Sequence, residues 1–407
     1  MTTKTASSFI VNPFILNGGV WLLVFLVYQM GWSKLCAPLS TELTLFLILT
    51  IAISFAIGIL SFRKYGISYS PMKSFSSKAA VLWMIFFYIL FAVETVAGGG
   101  LPLLGYLSGN ITVTYKEFGV PVVHVVLVNG LSCLVLYLYY AYKSFGEKKI
   151  RRNLVLLMGI GFIPFVAMFN RGAIISIILG MFIISILASK NTGRTIGKIL
   201  ASFLLIFFLF GLLGNLRSGK QLSKFVMQAG KATKSFYDSP FPDEFFWAYL
   251  YMATPLANVQ NTIDKMNRGT GDSADLENII LYEFTPEMIT KQLRGDQDKD
   301  KTYKRYRSNL RVSWLNATSV YGRPYKYMGW TGMWLMFAFT LVFIAINIRI
   351  VPKSSKWYVP MIVTLDEIVI MNLFDNMFIF MGMIPQLLIF LGIAMYSRFS
   401  NRTRYYI

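Results

Sequence analysis

Apolar runs of about 18–25 residues succeed one another along this chain with short charged breaks, and the succession is interrupted once, between about Leu216 and Tyr327. One such run, wound as a helix at about 1.5 Å per residue, covers a bilayer hydrocarbon core of about 30 Å. Charged residues make up 14% of the chain, against about 25% in soluble proteins, and hydrophobic ones 55%. The chain therefore reads as an all-α polytopic membrane protein. The interruption leaves about a hundred polar, basic residues between two spans, and recognition or chemistry is expected there.

Spans are predicted at about 14–32, 43–62, 79–97, 121–141, 153–170, 173–189, 197–215, 328–349, 357–374 and 377–396, about ten transmembrane helices with the large loop before the last three. The chain divides accordingly into N-terminal transmembrane helices over 1–216, the loop over 217–326, and C-terminal helices with a tail over 327–407. The break Gly98-Gly99-Gly100-Leu101-Pro102 predicts a bend or re-entrant segment at a membrane face.

Lysine and arginine sort by loop. One alternating set holds Arg63, Lys64, Lys73 and Lys78; Lys143, Lys148, Lys149, Arg151 and Arg152; Lys190, Arg194 and Lys198; Arg349, Lys353 and Lys356; and Arg398, Arg402 and Arg404. The opposite short loops hold only Lys34, Lys116 and Arg171. The positive-inside rule makes the first set and both termini cytoplasmic, and turns the long loop to the periplasm or cell exterior. No cleavable signal is read, because Met1–Thr5 is short and the first apolar run is long enough to remain as a span.

Two cysteines, Cys36 and Cys133, exclude a disulfide framework, and with His124 as the single histidine no His/Cys zinc cluster can be assembled. His124 falls in an apolar stretch, where a satisfied core role is expected. Neither a G-x-x-x-x-G-K-[ST] loop nor a dinucleotide fingerprint is present. An external site also sees no ATP or nucleotide sugar. Synthesis there must use a substrate already activated and carried on lipid, with no cofactor and no metal. The net charge of +20 admits nucleic acid, anionic lipid or an anionic substrate. The loop bias accounts for much of it, and no nucleic-acid partner is expected.

Cations in the external loop escape that explanation. They are densest at Lys299, Lys301, Lys304, Arg305, Arg307 and Arg311, and Asp238, Asp243, Glu244, Asp296, Asp298 and Asp300 do not cancel them. The run from Lys299 to Lys304 reads as a solvated basic face or as a phosphate site. Arg171, Arg217 and Arg311 each stand at a membrane boundary, where the rigid donor fork of a guanidinium suits a diphosphate whose lipid tail lies in the bilayer. Snorkelling to headgroups is the plainer use of any one of them.

Aromatic and polar side chains, among them Phe245, Phe246, Trp247, Tyr249, Tyr251, Trp314, Tyr321 and Tyr325, offer flat faces and hydroxyls for sugar rings, or form an interfacial girdle. Asp366 and Glu367 fall within a span, with Glu94 and Asp375 near other span ends. Burying charge in lipid costs several kcal/mol, so a partner is required, and an interfacial arginine is expected.

Four stretches carry a family likeness: Gly99-Gly100-Leu101-Pro102-Leu103-Leu104; Phe169-Asn170-Arg171-Gly172; Tyr251-Met252-Ala253-Thr254-Pro255-Leu256-Ala257-Asn258; and Asn316 with Tyr327-Met328-Gly329-Trp330-Thr331-Gly332. With the span count and the loop position, they resemble the Wzy-type O-antigen or oligosaccharide repeat-unit polymerases over most of the chain. The pattern R-x(10)-G described for loops of such enzymes is met by Arg311 and Gly322, whereas Phe182 and Gln228 stand where Arg171 and Arg217 would need glycine.

The resemblance implies a GT-C-like helical bundle in the bacterial inner membrane. It also implies transfer of a growing glycan from undecaprenyl diphosphate onto a second lipid-linked repeat unit. The expected partners are the undecaprenyl-diphosphate-linked oligosaccharide, membrane lipid and a chain-length regulator protein. Arg171, Arg217 and Arg311 would then bind the diphosphate and stabilise its departure, with Arg307 as a fourth ligand and Tyr249, Tyr251, Asn316 and Tyr321 as substrate contacts. The base for the acceptor hydroxyl stays open among Glu94, Asp238, Asp243, Glu244 and a tyrosine.

Two rival readings share this layout. An O-antigen ligase is expected to use a histidine in the large loop, and this loop has none. A flippase or transporter of the same saccharide would use intramembrane acids, yet binds near the midplane between repeats, and no internal repeat is detected.

Overall fold

The computed structural model describes residues 6–107, 118–202, 221–266, 273–294 and 309–403. Ten helices carry the architecture: α1 (Pro13–Gln29), α2 (Thr41–Tyr65), α3 (Ser77–Ala97), α4 (Pro121–Ser144), α5 (Lys148–Ala167), α6 (Arg171–Leu187), α7 (Glu244–Met266), α8 (Ser319–Ile350), α9 (Tyr358–Met371) and α10 (Ile384–Thr403). Among the described residues there is no strand, only a single bridge between Ser33 and Ala232. Among the described residues five helices are long and apolar enough to cross a membrane, namely Thr41–Lys64, Ser77–Ala97, Pro121–Ser144, Lys148–Ala167 and Ser319–Ile350. Pro13–Gln29, Arg171–Leu187 and Ile384–Ser397 are shorter apolar helices. The chain is thus an all-α membrane protein. Most of the span expected at 197–215 lies outside the described residues.

Local chemistry sets the helix ends. The Asn12 side chain caps α1 through the Phe14 amide with Pro13 as its first residue, and Ser40 caps α2 through the Leu43 amide. Between α5 and α6 the chain turns within three residues. Phe169 takes φ 56°, and Asn170 caps α6 at the Ala173 amide. The triglycine break turns at Gly99 and Gly100, both at positive φ, into a short helix, Pro102–Leu107. Helix α8 is interrupted at Met328 and Gly329, where Gly329 takes φ 57°. The expected span at 328–349 begins at that break, and Ser319–Tyr327 is a separate, largely buried helical turn before it.

Lipid tails are as apolar as leucine, so helices associate through close approach of small residues and through polar pairs. Helices α1 and α2 use both: Asn17 donates to Ser54 Oγ at 3.0 Å, Asn12 donates to Ser61 Oγ at 2.8 Å, and Gly58 lies against Ile15. Helix α9 is buried at every position from Tyr358 to Val369, as a helix apolar on nearly all sides must be at the centre of a bundle. Around it pack α1, α6, α4, α10 and α8.

The basic loops meet at one end. There the Tyr140 hydroxyl donates to the Ser70 carbonyl, the Met72 amide to Ser144 Oγ, and Lys353 Nζ to the Gly66 carbonyl at 2.6 Å. At the opposite end, the loop end, Ser33 donates to the Gly230 carbonyl, Thr233 to that of Gly31, and Asn129 to that of Met381. The long loop is largely helical where it is described. Its helix α7 is a packed element against α1 and α8, buried through Phe246, Tyr249, Leu250, Ala253, Leu256, Ala257 and Gln260 at helical spacing.

Gly180 of α6 faces α9. A Cβ there would stand 1.9 Å from Glu367 Oε1 and 2.6 Å from Leu136 Cδ2. Gly180→Val is expected to destabilise the bundle by about 1–3 kcal/mol, read as a lower thermal midpoint in detergent. An unchanged midpoint would contradict this packing.

Candidate functional site

Helix α7 organises the loop end. Its second half carries Asn258, Gln260, Asn261 and Thr262, all buried, and each has a task. Asn258 donates from Nδ2 to the carbonyls of Leu315 and Ala317, both at 2.8 Å, and its Oδ1 accepts the Arg311 amide at 2.9 Å. Asn261 donates to the Asn309 carbonyl, and Gln260 accepts the Ser40 amide and donates to Asp264. The segment 309–317 is thereby clamped along α7 by side chains alone, which fixes the backbone of Arg311.

The Arg311 guanidinium is only partly neutralised. Its Nη2 lies 3.4 Å from Asp264 Oδ2, and the carboxylate is half exposed. Its Nε is buried and has no hydrogen-bond partner among the described residues. Nearby, the Cys36 thiol is pushed up to about 11 by burial, opposed by the Tyr249 hydroxyl and by the charge of Arg311. Arg311 therefore offers a partly exposed positive charge at the rim of the bundle.

Arg171 is the first residue of α6 and is exposed. It is close enough to Tyr251 that its charge offsets part of the upward push of burial on that phenol. Tyr251 meets Trp247 edge-on, and Trp247 stacks on Trp314 with centroids 5.5 Å apart and planes 2° from parallel. The run Arg171, Tyr251, Trp247, Trp314 is a half-exposed aromatic platform with a cation at one end. Tyr249 and Tyr251 are two residues apart on α7, about 200° around a helix. Arg311, whose charge reaches Cys36 beside Tyr249, and Arg171, beside Tyr251, thus address different sides of α7.

Of the expected substrate contacts, Tyr251 and Asn316 are exposed. Tyr249 is 3% exposed, packed against Trp32 and Phe246, and Tyr321 is 2% exposed between Trp21 and Phe46. Those two rings face the core. Gly322 lies buried at the start of α8. Arg217, Arg307 and the run from Lys299 to Arg305 lie outside the described residues, as do Asp296, Asp298 and Asp300.

Sequence reasoning missed the most fully paired cation of this end. Arg323 Nε lies 3.0 Å from Glu283 Oε1, and its Nη2 lies 2.9 Å from Asp375 Oδ1. The Nε–Glu283 contact is an ion pair without hydrogen-bond alignment. Asn376 completes the knot by donating to Glu283 Oε2 and to the Glu283 carbonyl. The signal was available: Glu283 sits in the apolar run Ile279–Phe284, and such an acid demands a cation.

A second couple closes the other side. Glu94, wholly buried at the end of α3, lies 3.0 Å from His124 Nδ1 in the first turn of α4. Gly119, at φ 101°, passes so close that a Cβ would stand 2.8 Å from that nitrogen. A carboxylate–imidazole couple at a membrane boundary can accept a proton. His124 therefore has a specific polar partner at the end of its helix.

The acids of α9 do not meet the expectation of an arginine partner. Glu367 Oε2 accepts from Ser176 Oγ at 3.1 Å, and both Asp366 oxygens are buried with no partner among the described residues. Cys36 and Cys133 are both free thiols. Among the described residues no group of three or more His, Cys, Asp or Glu side chains could hold a metal ion.

Compared with family models, curated proteins and solved structures, the chain has no match in any of the three.

Two outcomes follow from this geometry. Asn258→Ala leaves buried backbone groups of Arg311, Leu315 and Ala317 unmatched, each worth about 1–3 kcal/mol. Trypsin cleavage after Arg311 is expected to accelerate, and an unchanged rate would show that the clamp is unimportant. Burial raises the Glu283 carboxyl above its usual range, more than the Arg323 charge and the Asn376 hydrogen bond lower it. The unfolded chain then releases this proton first, so folded stability falls as pH rises from the ordinary glutamate range to the folded value. Glu283→Gln should flatten that part of the Tm-against-pH curve relative to the wild type. An identical slope would remove Glu283 as its cause.

Proposed function

We propose that this chain is a membrane glycosyltransferase that polymerises undecaprenyl-diphosphate-linked oligosaccharide repeat units, with the reaction at the loop end. In this reading the loop end faces the periplasm of a bacterial inner membrane and both termini are cytoplasmic. The observation that carries it is Arg311, whose backbone is held by Asn258 and whose side chain is a quarter exposed and, among the described residues, makes a single ion pair, at 3.4 Å to the half-exposed Asp264 carboxylate. A diphosphate arriving on a lipid tail would displace little to bind it.

The chemistry needs few groups. The acceptor hydroxyl attacks the anomeric carbon of the donor sugar, the bond from that carbon to the diphosphate oxygen breaks, and the lipid diphosphate leaves with the electron pair. Arg311 would stabilise the charge on that leaving group, joined by Arg217 from the segment outside the described residues, while Arg171, which meets the other side of α7, would contact the substrate away from that point. The hydroxyl proton passes to a base, for which the Glu94–His124 couple is one carboxylate-based acceptor at this end. The platform of Tyr251, Trp247 and Trp314, with Asn316 exposed beside it in sequence, supports sugar stacking and hydrogen bonding.

One observation favours a second reading. Asp366 and Glu367, buried mid-helix without a cation, suit a transporter of the same lipid-linked saccharide coupled to protons or cations. Loss of such a transporter would empty the periplasm of repeat units, whereas loss of a polymerase leaves surface lipopolysaccharide capped with single repeats.

Arg311→Ala is expected to lower polymerisation by about 100-fold to 1000-fold, the loss typical of removing one charge-stabilising donor. Gel profiles of surface lipopolysaccharide should show single repeats persisting and long chains absent, with the protein still inserted in the membrane. Arg311→Lys should also be impaired, since an ammonium lacks the planar fork. A normal chain-length distribution in Arg311→Ala would reject the role.

A further inference from the structure

The basic end holds a second site, at the opposite end of the bundle from Arg311. Between α3, α4 and α10 lies a lipid-facing groove of about 860 Å³, walled by Trp83, Phe87, Leu134 and Phe390. It extends from Val125 and Pro385, in the loop-end turns of α4 and α10, to Ser74, Lys356 and Trp357 at the basic end. There it adjoins a polar cavity of about 500 Å³, which shares Ser74 and Lys356 with it. That cavity is lined by Lys73, Lys356, Ser70, Ser74, Ser355 and Ser397, and among the described residues neither lining includes an acid.

Each half lacks what the other would bring. An apolar groove open to the bilayer is filled by a chain, and two uncompensated lysines among serines attract an anion. Both lysines are exposed, and Lys356 Nζ lies over the Trp357 ring at 5.2 Å from its centroid, so that charge is held at the mouth of the groove. Trp357 lines the groove, and its buried indole N–H has no hydrogen-bond partner among the described residues. Ester carbonyls of a phospholipid lie at this depth, one step inside the headgroup.

We propose that this composite cavity binds an anionic phospholipid, with the phosphate on Lys73 and Lys356 and an acyl chain along α3, α4 and α10. The lipid-linked substrate is a different ligand, because its diphosphate belongs to the opposite end of the bundle, by Arg311. The site holds whether or not the proposed transferase activity does.

The test is native mass spectrometry of the purified full chain after exchange into mixed micelles of phosphatidylglycerol and phosphatidylcholine at equal amounts. Two lysines at one headgroup should give phosphatidylglycerol a preference on the order of tenfold in the wild type. Lys73→Gln with Lys356→Gln should abolish the preference while leaving total bound lipid similar. Ala79→Trp, a substitution at an exposed groove residue, should reduce both lipids. Excess inorganic phosphate should displace neither. The proposal is overturned by equal binding of the two lipids in the wild type, by a preference that survives the double substitution, by unchanged lipid in Ala79→Trp, or by displacement with phosphate. Helix content and thermal midpoint, measured alongside, should match the wild type in both variants.

Discussion

Hydrocarbon offers no partner to a charge or to an open backbone group, and the arrangement of this protein follows from that constraint. Ionisable side chains are driven to the two ends of the bundle, and any that remain near the core must find partners within the protein. At the loop end this produces close, specific pairs, Arg323 with Glu283 and Asp375 and Glu94 with His124, and a looser, partly exposed one, Arg311 with Asp264. The same rule explains Asn258, which substitutes for a secondary-structure ladder by bonding three backbone groups of a chain segment that has none. Arg311 differs from the other two cations in that its 3.4 Å contact is to a half-exposed carboxylate.

The centre of the bundle holds the exception. Helix α9 is buried along nearly its whole length, and Asp366 and Glu367 sit in it with one hydroxyl, that of Ser176, between them and isolation. Gly180 is there because no larger residue fits beside Glu367. Two carboxylates in such a place are costly. They mark either a structural polar contact between α6 and α9 or a path for an ion, and the latter is what gives the transporter reading its one specific support.

Much of the helical scaffold was legible in the sequence because an 18-residue apolar run in a membrane chain has few alternatives to a helix. The starts of α1, α2 and α6 could be read to within a few residues from Asn12-Pro13, Ser40 and Asn170, each a helix-capping residue. Helix α7 was hidden because its buried face mixes phenylalanine and leucine with asparagine, glutamine and threonine, a pattern that hydropathy reads as loop. Of the site, Arg171 and Arg311 were visible as cations at membrane boundaries. Their relation was not, since it depends on which side of α7 each one meets. Tyr249 and Tyr321 looked like surface aromatics by composition, and only packing against Trp32 and Trp21 turns them inward. The Arg323 knot joins residues 283, 323 and 375, a separation over which no periodicity carries information.

The functional account depends on the loop end performing glycosyl transfer from a lipid diphosphate unaided by nucleotide or metal. The most direct measurement is to place the purified wild-type protein in liposomes with a defined undecaprenyl-diphosphate-linked repeat unit, in chelator, and to separate the products by size. The account predicts a ladder of products that differ by one repeat unit, with undecaprenyl diphosphate released at each step. Unchanged repeat units in a preparation of correctly folded protein would contradict it, and repeat units carried intact across the bilayer would establish the transporter instead.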